Sequence, residues 1–238
     1  MMLTVLDPFD DTQPFPPAEQ ALEEPDGLLA AGGSLTPRRL LNAYRNGIFP
    51  WYNEGEPILW WSPNPRLTLL PDRLRVSRSL RKVLRRQEFQ ISFDRAFQAV
   101  IAGCAAPRPR AAGTWITPEM ESAYITMHRL GIAHSVESWH DDELVGGLYG
   151  IAIGRVFFGE SMFSRRSNAS KAAFAVFVQA LKEWNYALID CQIHTGHLAG
   201  FGAEEMPRSD FLTLLDRYCE CPASPQAWGT EPTRRVTA

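Results

Sequence analysis

Hydrophobic residues follow two different periods along this chain. Between residues 134 and 163, the stretches HSVESW, ELVGGLYGIAIG and VFFGESMF are separated by an Asp-Asp pair and a Gly-Arg pair. Apolar stretches divided by turn residues are typical of strands joined as hairpins. A further stretch, YALIDCQIH at residues 186–194, predicts the last strong strand.

Elsewhere apolar residues recur every three or four positions, which predicts helices. Thr36-Pro37 and Thr117-Pro118 each supply an N-cap followed by a proline suited to the first turn. Asp94 is expected to cap a third helix, and Asn168 to cap a long, strongly apolar one. From residue 65 onward the predicted order is strand, basic helix, strand, two helices, several strands, long helix and strand.

A proline-rich and aromatic segment separates the first predicted helix from the rest of the chain. Residues 47–66 hold four prolines between positions 50 and 65, together with several Trp and Tyr residues. Such a segment is the best place for a domain boundary. We therefore predict a small N-terminal domain over residues 1–64 and a catalytic domain over residues 65–238. The tail after Cys221 is expected to be frayed.

Composition excludes several classes of protein. The chain of 238 residues has 24 basic and 27 acidic residues, and 45% of it is hydrophobic, as in ordinary globular proteins. Its apolar runs are too short to span a bilayer, and its acidic N-terminus does not resemble a secretory signal. We predict a cytoplasmic protein without a membrane partner. Four cysteines at unpaired spacings predict neither a disulfide framework nor a metal site.

Positive charge is concentrated in one segment. Residues 73–86 hold seven basic residues and no acid, and the apolar residues among them recur at helical spacing. This pattern predicts an amphipathic helix with one positive face. Charge alone leaves two interpretations open, a binding surface for a polyanion such as nucleic acid, or a solvated face paired with acids elsewhere.

Polar residues within apolar strands are the strongest local indication of a site. Asp190 and Gln192 lie two apart in the last strand, so both side chains are expected on one face. Glu160 lies in a neighbouring predicted strand, where a second carboxylate would help to receive a cation. A buried structural network is the alternative interpretation. No nucleophile elbow, Walker loop or zinc-protease motif is present, so the motifs indicate no covalent nucleophile.

Several long blocks of the sequence resemble the leucyl/phenylalanyl-tRNA–protein transferases. The main blocks are GESMFSRRSNASK, IDCQ, GIFPWY and WWSPNPR, which begin at residues 159, 189, 47 and 60. DGLLAAGGSLTP, GTWITPEM and ELVGGLYG are similar as well. The resemblance extends from about Phe15 to Tyr218 in a compatible order.

The resemblance implies a fold and an activity. The fold would be α+β, with a small N-terminal α/β domain joined to a domain like the GCN5-related N-acetyltransferases. The activity would transfer Leu or Phe, and less often Met, from Leu-tRNA or Phe-tRNA to proteins with N-terminal Arg or Lys, marking them for degradation. An activated ester supplies the driving force, so no cofactor is expected.

The resemblance also implies roles for individual residues. Asp190 and Gln192 would be catalytic, either as a proton relay or as positioners while a ribose hydroxyl shuttles the proton, and Glu160 would place the acceptor. Side chains at the aminoacyl-adenosine site and around the transferred side chain would be Trp51, Trp115, Leu148, Met162, Phe174, Phe177 and Ile189. The tRNA surface would consist of Arg78, Arg81, Lys82, Arg85 and Arg86.

Two other functions are compatible with parts of the sequence. An acyl-CoA N-acetyltransferase would share the broad fold, but a glycine-rich loop before the long helix is absent from SRRSNASK. A non-catalytic RNA-binding module would use the basic helix, but it has no need for Asp190, Gln192 and Glu160 together.

Overall fold

The computed structural model describes residues 3–107 and 114–229, which form two β-sheets and their covering helices. The strands are β1 Thr4–Leu6, β2 Leu28–Gly32, β3 Phe49–Pro50, β4 Leu59–Trp61, β5 Arg66–Leu69, β6 Gln90–Phe93, β7 Ala133–His140, β8 Glu143–Ile153, β9 Val156–Ser164, β10 Leu188–Gln192 and β11 Glu204–Met206. The helices are α1 Pro37–Arg45, α2 Arg78–Arg85, α3 Phe97–Ala105, α4 Pro118–Arg129, α5 Ala169–Glu183, α6 Gly196–Ala199 and α7 Arg208–Tyr218. The expected α+β class is confirmed.

The larger sheet has the order β11-β5-β10-β9-β8-β7-β6. All its neighbours pair antiparallel except β9 and β10, which run parallel. That parallel pairing is short, because it joins residues 156–158 only to residues 188–190. Beyond it β9 continues beside β8, while β10 shifts register and ends. The two strands therefore part at Gly159 and Asp190, and this fork determines where the cavity described below lies.

Helix α5 covers one face of the larger sheet, while α3 and α4 cover the other. Helix α5 is buried along most of its length, as its continuous apolar sequence predicts. The smaller sheet, of order β1-β2-β4-β3, shares a hydrophobic cluster with the α3–α4 side. No helix among the described residues is long and apolar enough to cross a membrane.

The predicted helix starts are correct in two cases and wrong in a third. Thr36 and Thr117 each accept a hydrogen bond from a backbone N–H in the first turn of their helices. Asp94 does not cap α3, because its carboxylate contacts Ser135 N–H and His134 instead. The N-terminus of α3 is bound by Glu137 of β7, which accepts from the Arg95 and Ala96 N–H groups. At α5, Asn168 takes the N-cap position with a φ of 67° but makes no side-chain capping bond.

The proline-rich segment 47–66 contains β3 and β4 of the smaller sheet and ends at the first residue of β5. Trp60 of β4 is fully buried, and its indole N–H donates to the Gly32 carbonyl at 2.8 Å. The smaller sheet ends at Trp61 and the larger one begins at Arg66, but one hydrophobic cluster spans both. The division at residues 64 and 65 stays a prediction.

The expectation of a frayed tail after Cys221 is wrong for the residues that the structure describes there. The chain returns to the larger sheet, where Ser224 N–H donates to the Trp184 carbonyl at 3.0 Å. Trp228 then inserts among aromatic rings of the sheet and α5. Sequence composition indicated disorder, whereas a single large aromatic residue near the end fixes the segment. The remainder of the tail, from residue 230, lies outside the described residues.

Candidate active site

A cavity of about 980 Å³ opens at the fork between β9 and β10. Leu148, Met162, Phe174 and Ile189 line its apolar part. Trp51 and Trp115 line it from the smaller sheet and from the segment before α4. A cavity with an apolar wall and a few polar groups is the usual form of a small-molecule site.

Phe177 is the predicted pocket residue that does not line this cavity. Its ring lies behind the wall, where it packs against Phe157 at 4.6 Å between centroids and against Trp228 at 5.6 Å. Phe157 itself lines the cavity. Phe177 is fully buried on α5 and supports the wall from behind.

Asp190 is held by a cation that the sequence analysis did not identify. Arg66 of β5 donates from Nε to Asp190 Oδ1 at 2.8 Å and from Nη2 to Oδ2 at 2.7 Å. Both side chains are at most 1% exposed. The guanidinium lies over the rings of Phe49 and Phe211, 4.8 Å from each centroid. Asp190 is therefore a desolvated carboxylate whose two oxygens are both engaged.

A β-bulge after Asp190 directs Gln192 toward the cavity. Gln192 has a φ of 62°, a left-handed conformation unusual for a residue with a side chain. Its backbone N–H donates to Asp190 Oδ1 at 2.9 Å. The Asp190 carboxylate therefore binds both Arg66 and the backbone of the bulge. The Gln192 backbone thus lies against the Asp190 carboxylate through a local distortion of the strand, whereas simple alternation was expected to place the two residues together.

Glu160 completes the polar group from the opposite side of the fork. Gln192 Nε2 donates to Glu160 Oε1 at 2.9 Å, which bridges β10 to β9. Tyr44 of α1 and Tyr124 of α4 donate to Oε1 and Oε2, each at 2.8 Å, and the two hydroxyl oxygens lie in contact with each other. No side-chain cation contacts Glu160 in the described part of the chain. Neither tyrosine was predicted from the sequence as part of a site, because nothing near Tyr44 or Tyr124 in the chain indicates a contact with Glu160.

The two buried carboxylates have different electrostatic surroundings. Burial is the main cause that raises the pKa of Glu160 to about 7; the negative charge of Asp190 acts in the same direction, whereas the hydrogen bonds from both tyrosines and Gln192 oppose this rise. Burial likewise raises the pKa of Tyr44 and Tyr124, with the Glu160 charge as the next cause. Near neutral pH the Glu160 carboxyl therefore takes both protonation states, which suits a group that exchanges a proton.

The positive face of α2 lies on the surface. The five predicted tRNA contacts, Arg78, Arg81, Lys82, Arg85 and Arg86, are all exposed. Arg86 lies 3.7 Å from Glu88, and none of the other four forms an ion pair with a described residue. The apolar side of the helix packs inward, with Leu80 buried. Within residues 3–107 and 114–229 no three His, Cys, Asp or Glu side chains are grouped as a metal site.

Comparison with known proteins identifies a family. A sequence profile described as leucyl/phenylalanyl-tRNA protein transferase matches residues 68–216, and one for the N-terminal domain of the same transferases matches residues 33–64. A leucyl/phenylalanyl-tRNA–protein transferase of Methylococcus capsulatus is 58% identical over 97% of this chain and 98% of its own. Another, of Aromatoleum aromaticum, is 59% identical over 94% of each chain.

Two solved structures are partially similar to this chain. L-PGS from Bacillus licheniformis has a TM-score of 0.39 with 14% identity, over 69% of this chain and 55% of its own. A GCN5-related N-acetyltransferase from Kribbella flavida has a TM-score of 0.36 with 14% identity, over 72% of this chain and 61% of its own.

The buried ion pair yields a prediction about stability. Arg66→Met leaves the Asp190 carboxylate desolvated without a cation, and we expect the free energy of unfolding to fall by about 3–5 kcal/mol. Replacing both partners, as Arg66→Met with Asp190→Leu, should recover part of this loss, because no charge is left buried. Urea unfolding measures the free energy of unfolding of both variants.

The exposed Arg75–Glu204 pair provides the control, in which Arg75→Met should change stability by less than about 1 kcal/mol. A loss at Arg66 as small as that at Arg75 would contradict the prediction.

Proposed function

The chain belongs to the leucyl/phenylalanyl-tRNA–protein transferase family, and from this premise we propose that it transfers Leu or Phe, and less often Met, to proteins that begin with Arg or Lys. Membership makes it an aminoacyltransferase that uses aminoacyl-tRNA and a protein. The donor amino acids, the basic N-terminus of the acceptor, the marking for degradation and the cytoplasmic location are our proposals. Membership also favours this reaction over acyl transfer from coenzyme A and over RNA binding without catalysis.

The observation that carries the proposal is the Glu160–Gln192 bridge at the edge of an apolar cavity. In our proposal, the side chain of the transferred amino acid occupies the part of the cavity lined by Leu148, Met162, Phe174 and Ile189. The terminal adenosine lies against Trp51 and Trp115, where stacking on aromatic rings is worth about 1–3 kcal/mol per base. The ester carbonyl then lies near the polar bridge.

The reaction forms one C–N bond and breaks one ester C–O bond. The attacking α-amine loses a proton, and the departing ribose oxygen gains one, so no oxidant, metal or nucleotide is consumed. The α-amine has an ordinary pKa of about 7.7–8.0, so part of it is neutral near pH 7. The remaining requirement is to orient the amine and to receive its proton.

We assign these two tasks to different residues. Gln192 Nε2 is bound to Glu160, and its amide oxygen is then available to accept a hydrogen bond from the amine. Glu160, whose pKa is about 7, is a suitable acceptor for the proton. A cationic side chain of the acceptor would stabilise the ionised form of Glu160, which would link recognition of Arg or Lys to proton removal.

Asp190 acts as a positioning residue in this proposal. Its two oxygens already accept from Arg66, and one of them also fixes the backbone of Gln192. Such an acid is poorly placed to contact the incoming amine, because both of its oxygens are already occupied by Arg66 and the Gln192 backbone. This supports the positioning interpretation over a relay that begins at Asp190.

Transfer of radiolabelled Leu from Leu-tRNA to a peptide that begins with Arg tests the proposed function. We expect label on that peptide and little on its N-acetylated form, which has no free amine. A peptide that begins with Ala distinguishes recognition of the basic residue from recognition of any amine. Absence of transfer to the Arg peptide would refute the proposal.

The raised pKa of Glu160 predicts a pH dependence of transfer. Because the carboxylate is the active form, kcat/KM should rise as pH increases through about 7 and should be low at pH 5.5. Glu160→Gln should lower kcat/KM and remove this limb, leaving only the ionisation of the substrate amine. Melting temperature and tRNA affinity serve as controls. An unchanged limb near pH 7 in Glu160→Gln would assign the titration to another group.

The exposed face of α2 predicts a salt-dependent interaction with tRNA. Removing one cation that binds a phosphate should reduce the slope of log affinity against log salt by about 0.7–0.9. We therefore expect Arg78→Ala with Arg85→Ala to weaken tRNA binding and flatten this slope. Arg45→Ala is the matched control, since Arg45 is an exposed cation already 2.9 Å from Glu220. A slope equal to that of the wild type would show that α2 does not contact the phosphates.

A further inference from the structure

The C-terminal segment contributes Trp228 to an aromatic cluster behind the cavity. The Trp228 ring stacks on His134 with centroids 4.0 Å apart and planes inclined by 9°. Its indole N–H donates to the Tyr186 hydroxyl at 2.8 Å. Trp184 and Phe93 lie 5.1 and 6.3 Å away between centroids. One side chain from beyond α7 thus contacts both the sheet and the segment between α5 and β10.

The conformation of Trp228 shows that this position is specifically held. Its φ is 60°, a left-handed value that is unfavourable for a residue with a bulky side chain. Ring contacts and the bond to Tyr186 compensate for this strain. His134 is in turn fixed by Asp94 at 2.7 Å. The indole therefore has a defined place against the sheet.

Trp228 reaches the cavity wall through Phe157. The Phe157 ring lines the cavity and lies 5.9 Å from Trp228 between centroids. On another side Phe177 packs against it at 4.6 Å. A Cβ on Gly150 would approach the same ring to 2.6 Å, so Gly150 leaves the space that the ring occupies. The position of this wall residue is thus determined by three neighbours, of which Trp228 comes from the C-terminal segment.

We propose that Trp228 is a positioning residue that sets the depth of the pocket for the transferred side chain. The proposal rests on the function proposed above, in which this cavity receives the aminoacyl group. Without the indole, Phe157 and Phe177 can move toward the space that it leaves, because side chains around a new cavity relax partly into it. The cavity then becomes deeper, which favours Phe over the shorter Leu.

The test compares two donors with one acceptor. Initial rates with Phe-tRNA and Leu-tRNA and the same Arg peptide give the ratio of kcat/KM for Phe to that for Leu. One methylene in a direct contact changes such a ratio by about 10-fold or more, so a residue acting through Phe157 should change it by about 3-fold. We expect Trp228→Ala to raise the ratio by at least that factor, and Trp228→Phe to stay near the wild type.

Trp139→Ala is a matched control for reduced stability. Trp139 is also a partly buried indole; its N–H donates to Ser92 Oγ at 2.8 Å, and its ring lies under Arg95. We expect it to lower the melting temperature without changing the donor ratio. All rates are measured below each variant's melting temperature, and Trp228→Leu replaces Trp228→Ala if the latter does not fold.

The outcomes separate this inference from the proposed function. A raised ratio in Trp228→Ala or Trp228→Leu, with an unchanged ratio in Trp139→Ala, supports the proposal. An unchanged ratio, or one shifted toward Leu, overturns it and leaves Trp228 as a stabilising residue only. If the wild-type protein transfers neither amino acid, the proposed function itself fails.

Discussion

The ion pair between Arg66 and Asp190 is the constraint on which the site depends. Neither charge is in contact with solvent, so each would be strongly unfavourable without the other. Two parallel hydrogen bonds hold the guanidinium between two aromatic rings, although its buried Nη1 has no hydrogen-bond partner among the described residues, and Asp190 also accepts from the backbone of Gln192. The pair therefore fixes the end of β10 in a strained bulge, and this bulge brings the Gln192 amide to Glu160.

Two carboxylates at one fork can perform different tasks only if their environments differ. Asp190 faces a guanidinium that occupies both of its oxygens, and it also holds the backbone of Gln192. Glu160 faces hydroxyls and an amide, and burial raises its pKa to about 7. In the proposed mechanism this difference in surroundings lets one carboxyl group support the site and the other accept a proton.

The sequence predicted the elements better than it predicted their contacts. Strands and helices followed from local spacing and from the caps at Thr36 and Thr117, which depend on neighbouring residues only. The partners of Asp190 and Glu160 are distant in sequence, and the residues around Arg66 or Tyr44 do not indicate these contacts. One indication was available: a carboxylate in a central strand requires a cation, and Arg66 is the basic residue within the apolar stretch that becomes β5.

Two of the predictions that the structure contradicts, the Asp94 cap and the frayed tail, have one physical cause. Asp94 was expected to cap α3 and the tail was expected to fray, because both positions were judged by short-range preferences. In each case a long-range contact prevails: Glu137 binds the start of α3 from a neighbouring strand, and Trp228 buries part of its ring against the sheet. Long-range contacts also connect the N-terminal part of the chain to the cavity. Since Tyr44 of α1 bonds Glu160, and Phe49 and Pro50 of β3 line the cavity, the N-terminal part of the chain contributes to the candidate site, wherever the domain boundary is drawn.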